Sequence, residues 1–349
     1  MEIYREIYSL KQFLLDQKDE LGKQSGGEDS NLYKLQDVFL SKMDLLRKYA
    51  EESYYGRIQQ LYPMFTNHGK KHVDSIEYMV SEMLYPNKLR LNAFEIFILY
   101  TAIIYHDTGM MKSRSEHGEN VSEILSKFSE YISNRQIEDI IKKVAAAHTG
   151  DFDKMERLST SYPISYNAVQ EKIDARALAA LLRFSDEVSE TVDRIDTFLL
   201  ENNKVPEEHL IFWEYANCIK YSRADPQSHK VLMEITIENG TIFKEFLVPQ
   251  KDGSTIKMAF FDYLLQRIDK IDIERRNCCA NFRHMATIDT IEIRISVVDE
   301  NHEDIPGVTP IKIELNEKYC NRSSFIDTFY DKNPDLKDRD NYSKKLFPD

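Results

Sequence analysis

The chain has 349 residues, 42% of them hydrophobic and 30% charged, with a formal net charge of −13. That length buries a sizeable core without disulfide or metal staples, and that charge repels long nucleic acid and anionic membranes, so a polyanionic substrate must meet local cations or bound metal. Four cysteines (Cys218, Cys278, Cys279, Cys320) form no CxxC pair and read as reduced thiols with packing roles.

The opening MEIYREIYSLKQFLL is amphipathic and carries acids, unlike a secretory signal, and the longest apolar run, FEIFILYTAIIY (94–105), is too short to span a bilayer. A cytoplasmic protein is expected. Residues 1–31 read as an N-terminal helix and polar linker, with GKQSGGEDS (22–30) locally disordered. Apolar residues at helical spacing predict a long amphipathic helix over 32–60, then helices over about 68–84, 93–107, 116–131, 135–148 and 168–200, with Pro and Gly between them. Residues 32–210 thus read as an all-helical domain.

After Pro206 the texture changes. KVLMEITIENGTIFKEFLVP (230–249) alternates around Asn239-Gly240 and predicts a hairpin. A helix over 256–282 and a strand over 287–299 complete a smaller α+β module over 211–320. A charged tail over 321–349 reads as disordered. The expected fold is mainly α, a helical bundle followed by an α+β module.

Five of the nine histidines fall between positions 68 and 148. In NHGKKHVDSI, His68 and His72 lie four apart, one helical turn, with apolar residues continuing from His72 along one face. LYTAIIYHDTGM delivers His106 and Asp107 together where Gly109 breaks an apolar helix. RSEHGENVSEI carries His117, KKVAAAHTGD carries His148 after three alanines, and RALAALLRFSDEVSETVDRI sets Asp186 among apolar residues. Imidazole and carboxylate together suit Mn, Fe, Co, Ni or Zn.

The order His72, His106-Asp107, His117, His148, Asp186 over residues 60–200 resembles the HD superfamily of metal-dependent phosphohydrolases. HDTGM and RALAALLRFSDEVSETVDRI are similar to the HDxGM and ALLRxADxxDxxxxR stretches of its HD-CE type. The resemblance implies that His72, His106, Asp107 and Asp186 hold one ion, and that His117, His148 and a bridging Asp107 hold a second. It further implies hydrolysis of a phosphoester or phosphoanhydride by a hydroxide held on metal. NHGKKH resembles the HNxxH turn of cyclic-nucleotide phosphodiesterases, which makes His72 the ligand and His68 the proton donor. HDTGM lacks the Lys of HDIGK and no GYP follows His148, which speaks against cyclic di-GMP hydrolysis.

Lys70, Lys71, Lys112 and Arg114 are close in sequence and suit phosphate oxygens; the lysines around His72 read first as a solvated face and second as a substrate clamp. Arg194 reads as a phosphate ligand, a brace of the metal site or a surface residue. Asp186 has a competing partner in Arg183 one turn earlier, and Trp213 reads as an anchor between the two parts of the chain. The expected partner is a small phosphorylated molecule, a nucleotide by class, with no long nucleic acid and no membrane; a homo-oligomer stays open. The rival to an enzyme is a metal-containing nucleotide sensor or interaction module of a defence or stress system.

Overall fold

The computed structural model describes residues 9–250, 252–316 and 325–347. Ser9 caps α1 (Leu10–Gly22), its side chain accepting from the Gln12 amide. The linker then runs through hydrogen-bonded turns, Gly27 to the Gln24 carbonyl and Ser30 to Gly27, and Gly27 is buried, so it is ordered where composition suggested disorder. Ser30 caps α2 (Asn31–Ala50), which buries Leu35, Phe39, Met43 and Leu46. A π turn (Glu51–Tyr55) carries the helix on to Leu61 and buries both Tyr54 and Tyr55.

Four further helices build the bundle: α3 (Lys70–Leu84), α4 (Ala93–Tyr105), α5 (His117–Ser126) and α6 (Arg135–Ala146). Every residue of α4 is buried, which makes it the central rod. An Asn92–Glu95 capping box fixes its start, and Glu95 also accepts from the Asp174 amide at 3.1 Å. The helix expected over 116–131 breaks after Ser126, and only Ser129–Ile132 resumes it.

The helix expected over 168–200 is a correction. Residues before Ile173 form a hairpin, β1 (Tyr162–Tyr166) and β2 (Val169–Ile173), turning through Asn167 and Ala168 at φ 49° and 62°. That left-handed pair is the two-residue turn that matches strand twist, and tertiary pairing overrides the helical propensity of the segment. Asp174 then caps α7 (Ala175–Val188), accepting from the Ala177 amide. Only short turns, Val192–Arg194 and Thr197–Glu201, follow before α8 (Glu207–Cys218).

The hairpin expected at Asn239-Gly240 is also corrected. Strands β3 (Ile219–Asp225), β4 (Lys230–Glu238), β7 (Thr290–Val298) and β8 (Ile311–Leu315) form a sheet in the order β3-β4-β7-β8, in which β4 runs antiparallel to β3 and parallel to β7. The second alternating run, β5 (Glu245–Pro249), pairs with β6 (Thr255–Ala259) instead. Asn239 leaves the sheet, its amide bonded to the Val298 carbonyl at 2.8 Å. The helix expected from 256 begins only after β6, as α9 (Phe260–Cys278). In the tail, helices α10 (Phe325–Lys332) and α11 (Arg339–Leu346) bury Phe329, Tyr342 and Leu346, so its described part is docked rather than disordered.

The main hydrophobic cluster runs without a break from α1 through the bundle into the sheet and α9. Trp213 sits in a second cluster with Ile195, Val205 and Ala216, its indole donating to the Met64 carbonyl at 2.8 Å. Cys218, Cys278 and Cys279 are free and buried; Cys320, like residues 1–8 of the expected N-terminal helix, lies outside the described residues. Among the described residues no helix is long and apolar enough to cross a membrane.

Candidate metal centre

Five segments bring six side chains to one place. His72 lies in the first turn of α3, fully buried. His106 and Asp107 follow the last turn of α4, His117 opens α5, His148 follows α6, and Asp186 lies in the last turn of α7.

Three of the imidazoles are oriented by one local device. The Nδ1 of His106, His117 and His148 bonds to the carbonyl three residues earlier, Ile103 at 2.8 Å, Arg114 at 2.7 Å and Ala145 at 2.5 Å. A carbonyl only accepts, so each Nδ1 carries the hydrogen, and in the neutral ring, the form that binds a metal, each Nε2 presents a lone pair to the centre.

Asp107 stands between two sets of these nitrogens. Its Oδ2 lies 3.1 Å from His106 Nε2 and 3.5 Å from His72 Nε2, while its Oδ1 lies 3.5 Å from His117 Nε2 and 3.6 Å from His148 Nε2. Asp186 Oδ1 completes the first set, 3.1 Å from His72 Nε2 and 4.0 Å from His106 Nε2. Two overlapping triplets, His72-His106-Asp186 and His106-Asp107-His148, have ligand atoms within 4.8 Å of one another.

These residues fit cations on two grounds. His72 Nε2 and His106 Nε2 are buried and, although near carboxylates, are not aligned with any hydrogen-bond partner among the described residues. His117 Nε2 and His148 Nε2 face each other at 3.0 Å. With both Nδ1 atoms already protonated, that contact sets lone pair against lone pair unless a proton or cation lies between. The field agrees: burial would raise the Asp107 and Asp186 carboxyls, but the surrounding imidazoles hold both well below the usual range. Burial opposes the His106 imidazolium, yet Asp107 and Asp186 draw its pKa up to about 9, whereas burial dominates at His117 and lowers it.

His68 does not share a helix face with His72, because Gly69 caps α3 and His68 belongs to the loop before it. The two rings still meet, with centroids 5.8 Å apart. Burial, reinforced by the Arg194 charge, pushes the His68 pKa down to about 3. That field disfavours the imidazolium form, while the ring N–H stays available as a hydrogen-bond donor. Arg194 is buried and braces this loop: its Nε donates to the Asn67 carbonyl at 3.0 Å, and the Asn67 amide donates back to the Arg194 carbonyl at 2.7 Å.

Arg114 is exposed, lies 4.0 Å over the Phe65 ring, and has no ion-pair partner among the described residues, while the charges of Asp107 and Glu190 reach it. Lys112 is engaged with Glu123, and Lys70 with Glu51 at 2.7 Å; Lys71 is exposed and makes no ion pair among the described residues. Asp186 is not partnered by Arg183. That guanidinium turns away to Glu274 of α9, with two bonds at 2.8 and 3.0 Å.

Sequence reasoning missed the strut behind Asp186. Arg183, Glu187 and Glu190 occupy one face of α7 and its C-terminal extension, and they meet Glu274, Lys270 and Arg267 of α9. The spacing 183, 187, 190 was a visible signal for that face; the partners were not. The HD-CE family model matches residues 62–270, more than half of the chain, from just before His68 to Lys270. No curated protein matches the chain.

Proposed function

The chain belongs to the HD-CE family, and on that premise we propose that it is a metal-dependent phosphohydrolase cleaving a phosphoester or phosphoanhydride of a nucleotide or nucleotide second messenger. The observation that carries this reading is Asp107, whose two oxygens face two different imidazole pairs. Burying one carboxylate among four imidazoles costs desolvation that a purely structural site would avoid.

Divalent ions there would supply Lewis-acid charge at phosphoryl oxygens and lower the pKa of water. His72, His106 and Asp186 would hold one ion and His117 and His148 the other, with Asp107 shared. The remaining work falls to the chain's own groups. Arg114, held 4.0 Å over the Phe65 ring and without an ion-pair partner among the described residues, offers a planar fork for phosphate oxygens. His68, neutral and carrying no hydrogen bond among the described residues, would donate its ring N–H to the leaving oxygen as a hydrogen bond. Arg194 fixes the loop that aims it.

The test is a panel of nucleotides and cyclic dinucleotides assayed with manganese, iron, cobalt and nickel, wild type beside Asp107→Ala. Turnover in the wild type alone supports the proposal. Stoichiometric binding without turnover would favour a sensor, and a metal-loaded protein that neither binds nor cleaves any member would refute the reading.

A further inference from the structure

Gly109 and Gly118 flank the second imidazole pair, and neither has the positive φ that usually explains a glycine. What they lack is room. A Cβ on Gly109 would lie 1.9 Å from the His117 carbonyl oxygen and 2.8 Å from both the His117 carbonyl carbon and the Val121 amide nitrogen. A Cβ on Gly118 would lie 2.6 Å from Thr149 Cγ2 and 3.1 Å from the Ala146 carbonyl oxygen. Carbon contacts settle at about 3.5–4.0 Å, so at Gly109 one backbone segment would have to retreat by roughly 1.5 Å.

From these contacts we propose that Gly109 and Gly118 are positioning residues that assemble the His117–His148 subsite, separately from the subsite of His72, His106 and Asp186. The inference rests on the two-ion reading above. Gly109 lets the turn after Asp107 touch the backbone of α5, and Gly118 lets α5 touch the turn that carries His148. His117 is the first residue of α5, so it moves with that backbone. At Gly109 the obstruction is backbone and α5 is the side that gives: α4, which fixes His106, is buried along its whole length, whereas the connection through Lys112, Arg114, Ser115 and Glu116 is exposed. A retreat of α5 would open the 3.0 Å approach of His117 to His148 and the 3.5 Å approach of His117 to Asp107. Neither His72 on α3 nor Asp186 on α7 is among the nearest atoms that a Cβ at either glycine would meet.

The experiment is manganese stoichiometry and affinity on the full chain, by elemental analysis and calorimetry, with circular dichroism to follow the fold. Wild type is expected to bind two ions. Gly109→Ala and Gly118→Ala should keep one and weaken the second by about 10- to 100-fold, the usual effect of disturbing the support of a ligand. Gly240→Ala, where a Cβ would meet nothing within 4 Å, should keep both. Thr149→Ser removes the closest obstructing methyl, so Gly118→Ala/Thr149→Ser should regain much of the second affinity even if Gly109→Ala fails to fold. Two ions bound at native affinity by Gly118→Ala, or no recovery in the double variant, would overturn the proposal while leaving the two-ion centre intact. A wild type that binds a single ion would overturn both.

Discussion

Replacing either member of the Arg183–Glu274 pair should destabilise the protein far more than replacing both. The pair locks α7, which carries Asp186, to α9, and each side chain is only 7% exposed. Arg183 is further held 4.0 Å over the Phe152 ring, and its Nη1 has no hydrogen-bond partner among the described residues, so Glu274 is the main compensation for its charge. Glu274→Leu leaves that guanidinium buried and unmatched, and Arg183→Met does the same to the carboxylate; each should cost about 3 kcal/mol or more. The double variant Arg183→Met/Glu274→Leu presents two apolar chains of similar volume to the same space and should lie within about 1–2 kcal/mol of wild type. A coupling of about 4–5 kcal/mol or more between the sites follows. Urea denaturation at pH 7.5, followed by circular dichroism and by the fluorescence of Trp213, the one tryptophan, measures all four corners. A double variant as unstable as the two singles added together would refute the argument from uncompensated buried charge.

Asp107→Ala should lose metal from both subsites and abolish turnover, because one carboxylate faces all four imidazoles; elemental analysis showing one subsite still filled would contradict its sharing. His68→Asn should keep the fold and the metal but slow turnover about 10- to 100-fold. Because the His68 pKa is lowered to about 3, its pH–rate profile between pH 5 and 9 should run parallel to that of wild type; a lost limb would show that the imidazolium is the acid. Glu77 is a separate pH lever: burial outweighs Arg47, 3.6 Å away and also paired with Glu51 and Asp74, and raises its pKa to about 7. A carboxyl raised in the folded state binds more protons there, so its stabilisation is full below about pH 4.5 and is lost as pH rises through 7. Glu77→Gln should therefore gain on wild type by up to about 3 kcal/mol between pH 5 and 8, measured by urea melts; a constant difference would show an unshifted carboxyl.

The legible part of the fold was the part written in local period. The stripe of Leu35, Phe39, Met43 and Leu46 announced α2, and the apolar run before His106 announced α4. The segment after Pro163 was misread because NAVQEKI is acceptable to a helix, and only its five-residue pairing with YPISY made it a strand. Asn239-Gly240 looked like a hairpin because both flanking runs are strands. Their partners lie elsewhere, β7 and β6, and alternation along a strand does not specify which neighbour it joins. The tail was misread for a related reason: a few spaced apolar residues, Phe329, Tyr342 and Leu346, suffice to dock a charged segment once a surface awaits them.

The candidate centre divides along the same line. The sequence by itself determined which imidazoles and carboxylates are present, their order, and the local turns that free each Nε2, since the carbonyl that holds Nδ1 lies only three residues away in His106, His117 and His148. Tertiary structure alone decided that the two oxygens of Asp107 face different pairs, that His68 sits on a loop in a field that lowers its pKa, and that Arg183 serves α9 instead of Asp186. Those outcomes depend on distances between segments far apart in the chain and on the water they exclude, and the spacing of residues along one segment carries neither quantity.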